Sequence, residues 1–224
     1  MTSESTKGSQ LQPSVELEAP TGLGLKTSYT WHDHPRRLLF TLAKYKFVAK
    51  MLSGRRRVLE VGCNDGFATR IVLQEVGDVF GVDADPAFVN DANERMLEKW
   101  RFDCRLHDMR TGPVDEVFEA AYAIDQLERT PKADEQRFIS NIAKSLDAAG
   151  VLIVGTPSAQ SQKFASEVSR RSHINPKDHR ELRELMSQHF ENVFIFSMND
   201  EVVHTGFYPM AHYLFALGAG RKPS

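Results

Sequence analysis

Residues 58–67 (VLEVGCNDGF) are the part of the sequence best suited to holding a ligand. An apolar run leads into two glycines, a pattern typical of a buried strand that turns into a helix. Gly62 permits a tight turn close to a ligand, and Gly66 lets the helix begin close to the sheet. The spacing departs from the dinucleotide-binding pattern G-x-G-x-x-G. The carboxylate of Glu60, just before the first glycine, disfavours a pyrophosphate and favours a cationic group.

A second acidic position ends the next predicted strand, at Asp83 in the run GVDAD over residues 81–85. A carboxylate at this point of an open α/β sheet accepts hydrogen bonds from ribose hydroxyls. Capping of the helix that begins at Pro86 is the alternative, and Asp85 is the better candidate for that role. Glu60 and Asp83 together predict a ligand that carries a positive charge and a ribose.

These loops need a layered architecture to position them. Short apolar runs predict strands, and i, i+3/i+4 patterns predict helices between them. This alternation predicts a mainly parallel sheet with helices on both faces. The last two strands have no helix between them and are expected to pair antiparallel. The predicted strands are 57–61, 79–82, 104–106, 120–124, 151–154, 193–196 and 213–217; the predicted helices are 35–51, 67–76, 86–99, 133–146 and 176–190.

Composition excludes several classes of protein. The 28 basic and 30 acidic side chains give a net charge of −2, which argues against a dedicated nucleic-acid binder. Two cysteines are too few for a disulfide framework or a structural zinc site. With no apolar run of about 20 residues and no secretory signal, a cytoplasmic protein without a membrane span is expected. Residues 1–30 are expected to form a flexible segment ahead of one domain over residues 31–220.

The loop at 58–66, taken with Asp83, resembles the class I S-adenosylmethionine (SAM)-dependent methyltransferases. Within that family, the chain is similar to bacterial small-molecule enzymes of types 11 and 12. Further landmarks follow in the family's order at 107–109 (HDM), 122–128 (YAIDQLE) and 148–153 (AAGVLI). The resemblance implies a Rossmann-like, doubly wound α/β fold with a seven-stranded sheet, an antiparallel last strand and an N-terminal covering helix. Asn64 replaces a usual glycine, and Arg129 replaces a usual histidine.

The resemblance also implies SAM as the cofactor. It places Glu60 near the SAM ammonium, Asp83 at the ribose, Asp108 near the adenine and Asp125 near the methyl donor. The predicted cofactor-binding residues are Trp31, Arg36, Glu60, Gly62, Cys63, Asn64, Gly66, Asp83, Ala84, Phe88, Asp108, Met109, Asp125 and Gln126.

Structural roles stay open for several of these residues. Phe88 fits core packing as well as an adenine contact, and Asp108 fits an exposed loop. Arg36 suits either a cofactor carboxylate or a solvated helix start. Cys63 is expected to be a small filler, because methyl transfer needs no enzyme nucleophile.

Residues 158–175 form a polar stretch at the ligand-binding edge and are expected to border the acceptor pocket. His173 is the candidate general base, because imidazole accepts a proton near neutral pH. His204 is the second candidate. A role as a capping or surface histidine stays open for both. No spacing of ligand residues indicates a metal site.

The sequence therefore predicts a SAM-dependent methyltransferase that acts on a hydroxyl oxygen of a small molecule, such as a sugar or a secondary-metabolite intermediate. A homodimer is possible, and no nucleic-acid partner is expected. N-methyl transfer is the near rival. A catalytically silent binding module also stays open, as does a protein or tRNA methyltransferase that uses Arg55, Arg56 and Arg57.

Overall fold

The computed structural model describes residues 21–223, and these residues form an α/β fold around one sheet of eight strands. The strands are β1 Val58–Val61, β2 Val79–Asp83, β3 Asp103–Leu106, β4 Phe118–Ile124, β5 Leu146–Pro157, β6 Phe190–Asn199, β7 Val202–His204 and β8 Tyr213–Arg221. The α-helices are α1 Leu25–Asp33, α2 Arg36–Met51, α3 Thr69–Val72, α4 Pro86–Glu94, α5 Glu135–Lys144, α6 Glu167–Ser172 and α7 His179–Ser187.

The strand order is β3-β2-β1-β4-β5-β8-β6-β7. Strands β1 to β5 pair in parallel, and β8 runs antiparallel to both β5 and β6. This confirms the predicted doubly wound sheet with an antiparallel last strand. The predicted count of seven strands is wrong, because β7 lies in the connection between the last two predicted strands. Three residues are too few to show a strand pattern, and Asp200 with φ of 48° supplies the turn that returns β7 to β6.

The two faces of the sheet carry separate apolar layers. One face packs against α2, α3 and α4, with buried side chains that include Val48, Val72 and Val89. The other face packs against α5 and α7 through side chains such as Ile139 and Leu182. Because helices cover β1, β2 and β4 on both faces, these strands are buried along almost their whole length. Their carboxyl ends therefore form a rigid edge on which loops can be held.

All four helices predicted after residue 60 are shorter in the structure, and local contacts explain two of these differences. The helix predicted at 67–76 is only α3, because the chain after Leu73 turns back to the α2–β1 connection, where Gly77 donates to the Arg55 carbonyl (2.9 Å). The helix predicted at 176–190 begins at His179, where Asp178 forms a capping box. Asn175, just before the predicted start of this helix, is buried and donates to Glu135.

Helix α1 begins inside the segment predicted to be flexible, so residues 25–30 of that segment are helical. The part of the prediction that covers residues 1–20 lies outside the described residues. Between residues 21 and 223, no helix combines the length and the apolar character that a membrane span requires.

Candidate active site

The loop after β1 has a backbone that only certain residues tolerate. Gly62, Asn64 and Gly66 adopt φ of 77°, 49° and 66°, all in the left-handed region. A Cβ on Gly62 would lie 2.0 Å from the Gln126 side chain, and one on Gly66 would lie 2.7 Å from Phe102. Asn64 fits because its side chain donates to the Gly62 carbonyl (2.6 Å), and asparagine tolerates this region. The departure from the family's glycine at Asn64 therefore leaves the turn intact.

Asp83 joins this loop to the end of β2. Its carboxylate accepts from the backbone N–H of Asn64 (2.9 Å) and from that of Asp85 (2.9 Å). Asp85 caps α4 by accepting from the Ala87 amide, which confirms its expected role and separates it from that of Asp83. Each carboxylate oxygen of Asp83 retains a further lone pair for a hydroxyl group.

One pocket lies at the ends of β1, β2 and β3, and we call it the β2-side pocket. Arg110 holds the carboxylate of Asp108 in this pocket through two nitrogens (3.0 and 2.7 Å), and its hydrogen bonds keep the pKa of Asp108 below the usual range. The pocket collects six of the predicted residues together with Arg129; the six are Gly62, Asp83, Ala84, Asp108, Met109 and Gln126.

A second pocket lies on the other side of Gly62, and we call it the α1-side pocket. Cys63, Asn64 and Asp125 from the predicted set line it, together with Lys26 and Thr30 of α1. Lys26 donates to the Asn64 side-chain oxygen (2.9 Å). Burial lowers the pKa of Lys26; Asp125 opposes the shift, and Arg129 adds to it.

Helix α1 is fixed to the loop after β1. The Thr27 amide and hydroxyl donate to the two oxygens of Asp65 (2.7 and 3.1 Å), and the Leu25 amide donates to Asp91 (3.0 Å). Carboxylates at the N-terminus of a helix also interact favourably with its dipole. Sequence reasoning missed Lys26 and Thr30, although their i, i+4 spacing places them on one helix face.

Asp125 and Gln126 separate the two pockets at the end of β4. Asp125 has φ of 58° and accepts from the buried ammonium of Lys44 (2.5 Å). Burial raises the pKa of Asp125, but Lys44 and Lys26 outweigh burial, so this pKa lies below its ordinary value. The Gln126 side chain lies across Gly62, with its nitrogen 3.4 Å from the Gly62 carbonyl. The two pockets therefore adjoin at Gly62 and form one cleft.

This geometry agrees with the comparisons with known proteins. Residues 58–150 match the family model described as a methyltransferase domain. These residues form a class I methyltransferase domain. No curated protein matched the sequence.

Solved methyltransferases share the fold at low sequence identity. A SAM-dependent methyltransferase of Thermotoga maritima, described as a possible histamine N-methyltransferase, is 17% identical with a TM-score of 0.67, covering 88% of this chain and 96% of that chain. The N-methyltransferase NodS of Bradyrhizobium japonicum, in complex with S-adenosylhomocysteine (SAH), is 16% identical with a TM-score of 0.61, covering 88% and 92%. The plantazolicin methyltransferase BpumL, also with SAH, is 11% identical with a TM-score of 0.65, covering 88% and 89%. SAM is the cofactor of this methyltransferase family.

Glu60 lies beneath the cofactor loop of the methyltransferase domain and lines neither pocket. It is 1% exposed and accepts from the Tyr45 hydroxyl (2.8 Å) and the Thr69 hydroxyl (2.6 Å). Burial raises the pKa of Glu60, although both hydrogen bonds oppose the shift. Its carboxylate thus ties α2 and α3 to β1, and the predicted contact with the SAM ammonium does not appear in this geometry.

Four other predicted residues line neither pocket: Gly66, which lies against Phe102, and Trp31, Arg36 and Phe88. Trp31 is 51% exposed, since five residues after Lys26 correspond to a rotation of about 140° around α1. Arg36 is exposed at the start of α2, whereas Leu38, Thr41 and Tyr45 of that helix face the α1-side pocket. Phe88 is half-buried on α4.

Cys63 packs against Cys104, with the two sulfur atoms 3.5 Å apart and both thiols buried. This contact and burial raise the pKa of the Cys63 thiol well above its ordinary value. A buried, protonated thiol is a poor nucleophile, in agreement with the filler role expected for Cys63.

His173 follows the last residue of α6 and lines neither pocket, although the charges of Arg129 and Asp125 in the cleft act on its pKa. Its Nδ1 is 2.9 Å from the Gln162 Oε1, and the Gln162 nitrogen donates to the Ser158 carbonyl (3.1 Å). With Gln162 oriented in this way, Nδ1 carries the proton and Nε2 is the acceptor. Burial lowers the pKa of His173 and Arg129 lowers it further, so the ring is neutral near pH 7.

A buried ionic cluster holds the 158–175 segment in place. The Lys177 ammonium lies 2.5 Å from Glu135 at the start of α5, and Asn175 donates to the same oxygen (2.8 Å). Ser158 and Lys177 also form a backbone bridge. This cluster fixes both ends of the segment that carries His173, and no pattern in the sequence predicted it.

His204 is too far from the cleft to act as its base. It lies on β7, where its Nε2 is 2.9 Å from the Asn199 side-chain oxygen. The sheet order places β7 four strands from β4, a separation of roughly 19 Å. The structure therefore does not bring His204 to the cleft. Among residues 21–223, no group of three or more His, Cys, Asp or Glu side chains is placed to hold a metal ion.

Proposed function

We propose that this methyltransferase transfers a methyl group from SAM to a hydroxyl oxygen of a small molecule. The observation that carries the proposal is the neutral His173, whose Nδ1 is engaged by Gln162 so that Nε2 is left as an acceptor, and whose pKa responds to Arg129 and Asp125 of the cleft. The near-zero net charge of the chain favours a small acceptor over a nucleic acid.

The residues of the cleft fit SAM. The Asp83 carboxylate stands where a ribose is held in open α/β sheets. The part of the β2-side pocket formed by Ala84, Asp108 and Met109 would hold the adenosine. The α1-side pocket, with Lys26 and Asp125, would hold the amino-acid end, because it offers a cation and an anion for a carboxylate and an ammonium. SAM supplies an electrophilic methyl group on its sulfonium sulfur.

The chain's own contribution is positioning and proton removal. The acceptor hydroxyl would donate its proton to Nε2 of His173, which Gln162 keeps in the competent tautomer. Because the ring is already neutral near pH 7, no proton has to leave it first. Positioned general bases of this kind contribute about 10²- to 10⁴-fold to a rate.

An amine acceptor is the second candidate. The half-buried carboxylate of Asp125 follows β4, has a pKa below its ordinary value and would attract an ammonium group. Two of the solved structures similar to this chain are described as a possible or established N-methyltransferase.

The test compares His173→Ala with His189→Ala. His189 is a matched control, because it is also half-buried, has a lowered pKa and lies 3.3 Å from a glutamine oxygen, that of Gln136. Titration calorimetry measures SAM and SAH binding, and radiolabelled SAM measures transfer to paired panels of hydroxyl and amine compounds. We expect both variants to bind SAH like the wild type, and only His173→Ala to lose about 10²-fold or more in turnover of hydroxyl compounds.

The results separate the two acceptor classes. Absence of SAM and SAH binding at millimolar concentration would reject the methyltransferase assignment. Turnover confined to amines would favour the second candidate. Unchanged turnover of hydroxyl compounds in His173→Ala would reject His173 as the base.

A further inference from the structure

Arg129 lies at the junction of the cleft and the 158–175 segment. It ends the short 3-10 helix Leu127–Arg129 that follows β4, and it lines the β2-side pocket. Its charge also acts on Lys26 in the α1-side pocket and on His173. The guanidinium therefore lines one half of the cleft, and its charge influences Lys26 in the other half and His173.

Arg129 differs from the other cations around the cleft in its partners. Lys44 is paired with Asp125, Arg110 holds Asp108 through two bonds, and Lys26 donates to Asn64. Within residues 21–223, the Arg129 side chain makes no hydrogen bond, and the one carboxyl group within 4.0 Å is Glu128, at 3.8 Å. The Arg129 side chain is 51% exposed, so its donors can reach a ligand.

Glu128 is a poor counter-ion for Arg129. Its side chain is fully buried, its Oε1 has no hydrogen-bond partner in the described part of the chain, and its Oε2 is 3.4 Å from the Thr156 hydroxyl. Burial raises the pKa of Glu128 to about 8, so the carboxyl group is mostly protonated at neutral pH. The Arg129 charge therefore lacks a full compensating charge.

A cationic cofactor makes this imbalance larger. A sulfonium next to Lys26 and Arg129 adds a like charge to a partly buried cleft, which costs free energy. An acceptor that carries a negative group would offset that cost. The planar guanidinium of arginine matches carboxylate and phosphate groups through two parallel hydrogen bonds.

We propose that Arg129 binds a carboxylate or phosphate group of the acceptor, so that the acceptor is a small hydroxylated anion. This inference rests on the proposed function, since it names the acceptor class of the same site. It also gives a reason for an arginine at a position where the resembling enzymes have a histidine.

The experiment uses the full chain saturated with SAH, titrated calorimetrically with benzoate, phenyl phosphate and the uncharged benzamide. We expect at least one anion to bind the wild type at least about tenfold more tightly than benzamide, as charged hydrogen bonds imply. Arg129→Gln should lose that preference and keep wild-type SAH affinity. Arg137→Gln is the matched control, because Arg137 is 63% exposed and has Asp134 at 3.9 Å but lines neither pocket.

Each other outcome overturns the proposal. If neither anion is preferred over benzamide by the wild type, or if Arg129→Gln keeps the preference, Arg129 does not bind an acceptor anion. If Arg129→Gln weakens SAH binding instead, Arg129 belongs to the cofactor. If SAH binds but no anion is preferred, only the anionic acceptor is rejected and the proposed function is retained. If SAH does not bind, both proposals are rejected.

Discussion

The two sides of the cleft are built in different ways. The β2-side pocket consists of loops that directly follow β1, β2, β3 and β4, so the ends of parallel strands place its residues. The α1-side pocket and the surroundings of His173 depend on segments distant in sequence, which docking contacts hold against that edge. The end of a strand fixes the position of the residues that follow it directly. A docked segment is held by tertiary contacts, and no short sequence pattern indicates these contacts.

We expect the largest loss of SAH affinity from a substitution at Gly62, where the loop after β1 leaves no room for a side chain. Gly62→Ala places a methyl group 2.0 Å from Gln126 at φ of 77°. We expect SAH affinity to fall by at least about 100-fold, because the clash and the backbone strain act together. Gly112→Ala is the control, since a Cβ there meets nothing within 4 Å.

The double variant Gly62→Ala/Gln126→Ala sharpens this result by removing the clash and leaving the strain. It should recover part of the lost SAH affinity. Unchanged affinity in the single variant would mean that the cofactor does not pass Gly62, and the division of the cleft into two sides at that residue would fail.

We expect the next largest loss of SAH affinity when the contacts that hold α1 are weakened. Asp65→Asn weakens the two hydrogen bonds from Thr27, so helix α1 should be less firmly held. We expect about a tenfold loss of SAH affinity, since charge-assisted hydrogen bonds of this kind contribute about 1.5–3 kcal/mol. Hydrogen exchange should also become faster in residues 25–33.

Asp78→Asn is the control for this experiment, because Asp78 is exposed near Arg57 at the other end of the strands. Equal exchange rates of α1 in Asp65→Asn and the wild type would show that α1 is held by other contacts. The α1-side pocket would then depend less on the docking of α1 through Asp65 than we infer.

The residues of the β2-side pocket could largely be predicted from the sequence, whereas those that depend on docked segments could not. The positions of Gly62, Asp83 and Asp108 follow from a buried strand and the turn after it, so their grouping could be predicted. Lys26 was missed because α1 lies in a polar segment whose order comes from Asp65 and Asp91. The position of Glu60 in the sequence was correct, but nothing in the pattern showed that Tyr45 and Thr69 would engage its carboxylate.

The titration of His173 tests whether the docked segment shares the electrostatics of the cleft. Burial and the charge of Arg129 both lower its pKa, so Arg129→Gln should raise the pKa of His173 and move its titration to higher pH. Heteronuclear NMR of the histidine rings measures this shift without an acceptor. His189, whose pKa is lowered by burial and by Lys144 and Lys222, should titrate unchanged in the same spectra. If the pKa of His173 is the same in Arg129→Gln and in the wild type, the charge of Arg129 does not influence the 158–175 segment.

We expect the smallest effect from Glu128→Gln, which changes how the stability of the fold depends on pH. Its pKa is about 8 in the folded chain and near 4.5 when unfolded, so the folded state binds the extra proton. The resulting stability is complete below pH 4.5 and is lost as the pH rises towards 8. Glu128→Gln removes this dependence, and we expect the drop in Tm from pH 5.5 to pH 8.5 to shrink by about 3 °C relative to the wild type. An identical drop in both proteins would show that Glu128 is ionised beside Arg129, and Arg129 would then be compensated within the fold.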